Sequence, residues 1–177
     1  KNKNVVDFYG KPIIYYPIKE SKKAKIFSNI YVSTDSKKIQ IISENYGAKT
    51  LGLRPKKYSD DHTNVKEVLI DFILSNNLQD TKNFCCIYPT SVLITSKIIK
   101  KAFIKFKKEN SDMLITLCEF PSNPDRAFTI KKGKYASFSN KKNQNIRSQD
   151  LKKQFYDTGT LYFFKKKKFL KSNDIFP

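Results

Sequence analysis

A regular alternation of two hydrophobic periods most constrains what this 177-residue chain can fold into. Short apolar, β-branched runs give way to stretches in which apolar residues recur every three or four positions, and then return. Residues 12–27 put Ile13, Ile14, Pro17, Ile18 and Ile26 on one helical face, with lysines opposite. Residues 30–34 read as a strand ending at Asp35-Ser36, which can cap the next helix. That helix, 37–46, carries Ile39, Ile42 and Tyr46 and stops at Gly47. A short strand at 48–53 is followed by a helix at 64–75 with Val65, Val68, Leu69, Phe72 and Ile73 on one face. Residues 84–88 form a buried strand broken by Pro89. Residues 96–108 form a helix through Ile98, Ile99, Ala102, Phe103 and Phe106, and 113–118 are again a strand. This pattern predicts an α/β domain whose sheet carries helices on both faces. With no internal repeat and no linker composition, one domain over 1–177 is expected.

After Phe120 the texture changes. Phe128-Thr129-Ile130, Lys132-Gly133-Lys134 and residues 135–138 read as a β-hairpin; 140–145 are a polar, flexible connection, and 161–164 a last strand. In open α/β sheets ligands bind beyond the carboxyl ends of the strands. Ser33-Thr34-Asp35, Arg54-Pro55 and Tyr88-Pro89-Thr90-Ser91 fall there.

Charge narrows the ligand. The formal net charge is +19, but only three of the 35 basic side chains are arginine: Arg54, Arg126 and Arg147. The lysines are spread along the chain in a manner that matches compositional bias. No arginine stripe, zinc-knuckle spacing or RNA-binding aromatic motif accompanies them, so nucleic-acid binding is the less favoured reading. The densest run, 165–168, lies between apolar pairs and reads as a strand exit or helix start. The three arginines each sit in a short, site-like stretch. A guanidinium offers a planar fork for carboxylate and phosphate oxygens that an ammonium cannot reproduce, so three of them suggest an anionic ligand held in fixed geometry. Each motif also has a purely structural reading. Leu53-Arg54-Pro55 can be a strand end with a surface ion pair, Thr90-Ser91 a helix cap, and Arg147 with Asp150 a salt bridge that orders its own loop.

Cys85, Cys86 and Cys118 fit no metal spacing and lie in apolar runs, which predicts buried, inert thiols in a reducing compartment. His62 reads as a surface or loop residue. No apolar stretch approaches the roughly 20 residues of a membrane span and no signal peptide is visible, so a cytoplasmic protein is expected.

The ordered set Lys3-Asn4, Gly10-Lys11-Pro12-Ile13, Val32-Ser33-Thr34-Asp35, Leu53-Arg54-Pro55, Ser59-Asp60-Asp61 and Pro89-Thr90-Ser91 resembles the CMP-sugar synthetases, cytidylyltransferases that activate nine-carbon acidic sugars (nonulosonates). Cys85-Cys86-Ile87-Tyr88-Pro89-Thr90, Arg126-Ala127 and Arg147-Ser148-Gln149-Asp150-Leu151 followed by Tyr156-Asp157-Thr158-Gly159 are similar to the pseudaminic acid branch. The resemblance implies a three-layer, Rossmann-like nucleotidyltransferase domain with a mostly parallel sheet and a small β-hairpin dimerisation region. It further implies a homodimer that uses CTP and Mg²⁺ and releases pyrophosphate.

By the same resemblance Lys3 and Asn4 close the nucleotide loop, Lys3 and Arg147 serve catalysis, and Arg54, Tyr88 and Thr90 meet the nucleotide. Ser91, Arg126, Arg147, Gln149, Asp157 and Thr158 belong to the sugar side. Metal ligands are not assigned. Family members carry a strand and a glycine- and basic-rich phosphate loop ahead of the Lys-Asn pair, and a metal-binding Asp pair beyond the last strand. The sequence as it stands opens at the Lys-Asn pair and closes at Pro177. Val65, Val92 and Thr160 depart from the family's usual residues and leave the sugar open. Activation of N-acetylneuraminate or legionaminate is the alternative within the family; a basic nucleic-acid-binding module or a non-catalytic homologue is the alternative outside it.

Overall fold

The helical periods become helices whose first turns are fixed by side-chain caps in the computed structural model, which describes residues 3–78 and 80–174. After two-residue strands β1 (Asp7–Phe8) and β2 (Lys11–Pro12) come α1 (Tyr15–Ala24) and α2 (Lys37–Asn45), the latter capped by Ser36, whose hydroxyl accepts from the Ile39 N–H. Ser36, not Asp35, is therefore the cap. Helix α3 (Val65–Ser75) starts at Asn64, which accepts from Glu67 N–H, and leads to β3 (Asn83–Ile87). Helix α4 (Ser96–Lys108) is capped by Thr95 and precedes β4 (Met113–Glu119). The hairpin strands β5 (Phe128–Lys131) and β6 (Tyr135–Phe138) follow, then β7 (Phe155–Lys165) and α5 (Lys166–Lys171). The lysine run expected at a strand exit or helix start spans the end of β7 and the start of α5.

The described residues form two compact units. The first comprises the chain up to Ile115 and again from Gly159 onward. Its sheet has the order β3-β7-β4, with β7 antiparallel to β3 through pairs such as Cys85 with Phe163. The Lys165 N–H donates to the Asp112 carbonyl at 2.9 Å, and within the second unit Thr158 Oγ1 donates to the Thr116 carbonyl at 3.0 Å. Rising numbers on one strand meet falling numbers on the other, so β4 also opposes β7. Strands β3 and β4 thus share a direction with β7 reversed between them. A further parallel contact is the Tyr31–Lys49 bridge. The strands expected at 30–34 and 48–53 reduce to that bridge and its flanking hydrogen bonds, because a two-stranded pairing is marginal by itself.

Alternation along β7 builds the layers. Leu161 and Phe163 join Ala24, Ile99 and Phe106 on the face covered by α1 and α4. Tyr162 and Phe164 join Ile73 and Phe169 on the face covered by α3 and α5. Because successive strand residues point to opposite faces, an apolar run of four needs a helix layer on each side. A third cluster, Ile14, Ile18, Ile39 and Ala48, ties α1 to α2. The face expected for α3 differs at one position. Lys66 is buried, its ammonium donating to the carbonyls of Ser172 and, at 2.8 Å, Asp174, with Phe169 beneath it. The long methylene stem lies against the ring while the head satisfies carbonyls.

The second unit, Thr116–Thr158, holds the β5–β6 hairpin in the register Phe128 with Phe138 and Lys131 with Tyr135. Its turn places Lys132 and Gly133 at positive φ. Among the described residues no helix is long and apolar enough to cross a membrane.

Candidate functional site

In the first unit the site residues fall into three groups, each set by local structure. Lys3 and Asn4 open a 3₁₀ turn, Lys3–Val5; Lys3 is exposed, and Asn4 Oδ1 is buried without a hydrogen-bond partner among the described residues. A buried acceptor left unpaired is costly, which marks Asn4 as a position where a ligand donor fits.

Arg54 sits where residues 48–53 end. Its backbone N–H donates to the Thr34 carbonyl at 2.8 Å, bringing it beside the end of the neighbouring segment. The side chain is largely buried. Its Nε donates to Ser59 Oγ at 3.1 Å and Nη2 lies 3.8 Å from Asp35 Oδ1. The surface ion-pair alternative is thus present, at long range and through one Nη atom. Asp35 and Ser59, named in the sequence only as a cap candidate and as part of a motif, hold this guanidinium. Nothing in their local spacing signalled it, since 19 and five residues separate them from Arg54.

Tyr88, Thr90 and Ser91 occupy the turn after β3. The Tyr88 N–H donates to the Thr160 carbonyl at 3.2 Å, and Ser91 Oγ donates to the same carbonyl at 3.2 Å. Ser91 is buried, with its hydroxyl directed to the backbone; Thr90 is exposed. The Tyr88 ring packs 5.5 Å from that of Tyr162, and its edge lies where a Cβ on Gly159 would touch it at 3.8 Å. Gly159 has φ +60 inside a strand, a conformation that L side chains rarely adopt.

In the second unit Arg126 ends the 3₁₀ turn Pro124–Arg126. Its Nη1 donates to the carbonyls of Gln144 and Ile146, each at 3.2 Å, and its guanidinium lies 5.4 Å from the Phe138 ring centre. Arg147 is 75% exposed and binds Asp150 Oδ2 through Nε at 3.0 Å, so the internal salt bridge foreseen as an alternative is formed. Nε is the atom that bond uses. Gln149 lies exposed in the following turn, Ser148–Asp150. Thr158 is exposed and shares a 2.8 Å hydroxyl contact with Thr116; Asp157, beside it, is exposed too.

The cysteines divide. Burial pushes the Cys85 thiol well up, with Cys86 beside it adding to the shift, and burial pushes Cys86 up to about 12. Cys85 and Cys86 are half-buried and Cys118 is exposed, which corrects the expectation that all three are buried: β4 leaves the core beyond Thr116 and its last residues face solvent. A thiol with a strongly raised pKa carries negligible thiolate near neutrality. Iodoacetamide at pH 8 is therefore expected to modify Cys118 in the native protein, and Cys85 and Cys86 only after denaturation, as read by intact and peptide mass spectrometry. The described residues contain no group of three or more His, Cys, Asp or Glu placed to hold a metal ion.

Helices on both faces of a sheet define an α/β domain. The fold matches a solved structure of CMP:2-keto-3-deoxy-manno-octonic acid synthetase complexed with CTP. The TM-score is 0.68, over 95% of this chain and 69% of that one, at 12% identity. A family model described as cytidylyltransferase matches residues 1–176, and the chain belongs to that family. It is 37% identical, over 99% of its length, to the Helicobacter pylori pseudaminic acid cytidylyltransferase and UDP-2,4-diacetamido-2,4,6-trideoxy-beta-L-altropyranose hydrolase, and spans 34% of that protein. It is 35% identical over 98% of its length to the Campylobacter jejuni pseudaminic acid cytidylyltransferase, spanning 76% of it. An N-acylneuraminate cytidylyltransferase of Streptococcus agalactiae is 26% identical over 99% of the chain, which spans 42% of that relative.

Proposed function

We propose that this protein transfers the cytidylyl group of CTP to a nine-carbon acidic sugar of the pseudaminic acid type. In that reaction the sugar's anomeric hydroxyl oxygen attacks the α-phosphorus of CTP. The bond to the bridging oxygen of the β-phosphate breaks, pyrophosphate leaves, and the hydroxyl proton passes to water. The observation that carries this reading is 35% identity to a pseudaminic acid cytidylyltransferase across nearly the whole chain and three quarters of that relative.

The residues suit the chemistry. Phosphoryl-type transfer depends on positioning and charge neutralisation. We assign to the nucleotide side Lys3, Asn4, whose buried Oδ1 has no hydrogen-bond partner among the described residues, and Arg54, with Tyr88 and Thr90 supplying a ring face and a hydroxyl. Arg147, Gln149, Asp157 and Thr158 supply exposed polar groups for the sugar. Ser91 serves that side through the turn it ties to Thr160 rather than through a free hydroxyl. Mg²⁺ takes one or two protein carboxylates and completes its shell with water and substrate phosphates. The described residues gather no such metal cluster, so a Mg²⁺ requirement rests on the family and enters no step here.

The hairpin unit supports a homodimer. Phe128 and Ile130, two positions apart and so on one face of β5, are each more than half exposed, apolar surface that a second copy of the chain would cover. CTP is a cytoplasmic metabolite, and we place the enzyme there.

The test is pyrophosphate release from CTP against a panel of nonulosonates, using the full-length protein. Release with pseudaminic acid above the other sugars is expected. No release with any nonulosonate overturns the reading, and nucleic-acid binding that weakens steeply with salt would in that event favour the basic-module alternative.

A further inference from the structure

We propose that Arg126 is a positioning residue that acts through Arg147, holding the loop that presents the sugar-side guanidinium rather than meeting the sugar itself; this rests on the assignment of Arg147 to the sugar under the function proposed above. Three observations within the second unit carry it. First, the donors of Arg126 are directed inward, to the Gln144 and Ile146 carbonyls. The Ile146 carbonyl belongs to the peptide bond that enters Arg147, so the tether grips the backbone at the residue it positions. Second, the guanidinium lies 5.4 Å over the Phe138 ring centre, a cation–π contact that favours this placement.

Third, the same short stretch grips the loop elsewhere. Asn140 Nδ2 donates to Asp125 Oδ1 at 3.0 Å, Asn123 Nδ2 donates to the Lys152 carbonyl at 2.8 Å, and Gln154 Nε2 donates to Asn123 Oδ1 at 3.3 Å. Residues 123–126 therefore hold the segment 140–154 at its entry, before Arg147 and at its exit. Between those points the loop is polar, exposed and built of single 3₁₀ turns, so little else opposes the entropy of its motion. Asp150 then orients the Arg147 side chain through Nε. The backbone tether and the side-chain ion pair together prepare one guanidinium edge for an anion.

The experiment compares R126A, R147A and the double variant in the full-length enzyme, reading KM for each substrate, kcat and amide hydrogen exchange. For R126A we expect KM for the sugar to rise about ten- to a hundred-fold, with KM for CTP within about twofold. Exchange should quicken across 143–151 and remain unchanged in β7. The double variant should be no worse than R147A, because a residue that acts only through another adds nothing once that other is gone. Multiplying effects in the double variant, or unchanged exchange across 143–151, would overturn the proposal. If R147A alone leaves the sugar KM unchanged, the sugar-side role of Arg147 fails, while the exchange data still decide the tether. Should R126A fail to fold, R126K, which keeps the charge but not the planar fork over Phe138, is expected to show a smaller shift in the same two readouts; no shift in either would overturn the proposal.

Discussion

Replacing Arg147 by alanine is expected to lower kcat/KM for the nonulosonate by about a hundred- to a thousand-fold, with the thermal midpoint unchanged. The magnitude is that of removing one partner of a charge-assisted, bidentate contact in a substrate site. Stability should not follow, because the side chain is 75% exposed and its bond to Asp150 is a surface ion pair, worth little to the fold. R147K should recover only part of the loss, since an ammonium keeps the charge but cannot offer two parallel donors. Steady-state pyrophosphate release with saturating CTP, beside a melting curve, checks both halves. A fall of less than tenfold would remove Arg147 from the sugar side.

Phe164→Ala should have the largest effect on the fold. Phe164 is fully buried in β7, stacks 5.0 Å from the Phe84 ring centre and packs 4.8 Å from that of Phe169. It thereby joins the sheet to α5. Truncating a buried phenylalanine costs about 3–5 kcal/mol in lost transfer energy and cavity formation. In a chain of this size that lowers the melting temperature by about 6–20 °C. Phe164→Leu, which leaves less void, should lose about a third as much. Differential scanning calorimetry separates the two, and a shift under about 3 °C for the alanine variant would mean that the site collapses onto the gap.

The physics behind these two predictions was unequally visible in the sequence. Leu161 to Phe164 announced themselves as a strand because four consecutive apolar, partly aromatic residues suit a doubly covered sheet. Their central position between β3 and β4 was not visible, since strand order depends on which segments meet in space. Arg147 stood out because guanidinium groups are scarce here and its stretch resembled a family motif, and the Asp150 bridge was legible from i,i+3 spacing. Arg126 stands out equally, and the family resemblance puts it on the sugar side. Its partners are backbone carbonyls 18 and 20 residues away, and carbonyls carry no sequence signature. Lys66 escapes the sequence pattern for the same reason: a lysine on a helix reads as solvated until a carbonyl more than 100 residues onward is folded over it.

The sequence alone determined much of the local order of this protein: where α2, α3 and α4 start and stop, that β3, β4 and the β5–β6 hairpin are strands, and which residues mark the cytidylyltransferase family. Period, cap and turn are properties of neighbouring residues and of backbone geometry, so they are written in the order of the side chains. Only the tertiary structure decided what each site residue holds. Arg54 is flanked by Asp35 and Ser59, Arg126 grips the loop of Arg147, and Ser91 directs its hydroxyl to Thr160. Those choices follow from which donors and acceptors burial brings within about 3 Å of one another. That distance is set by packing between segments far apart in the chain, which no local pattern encodes.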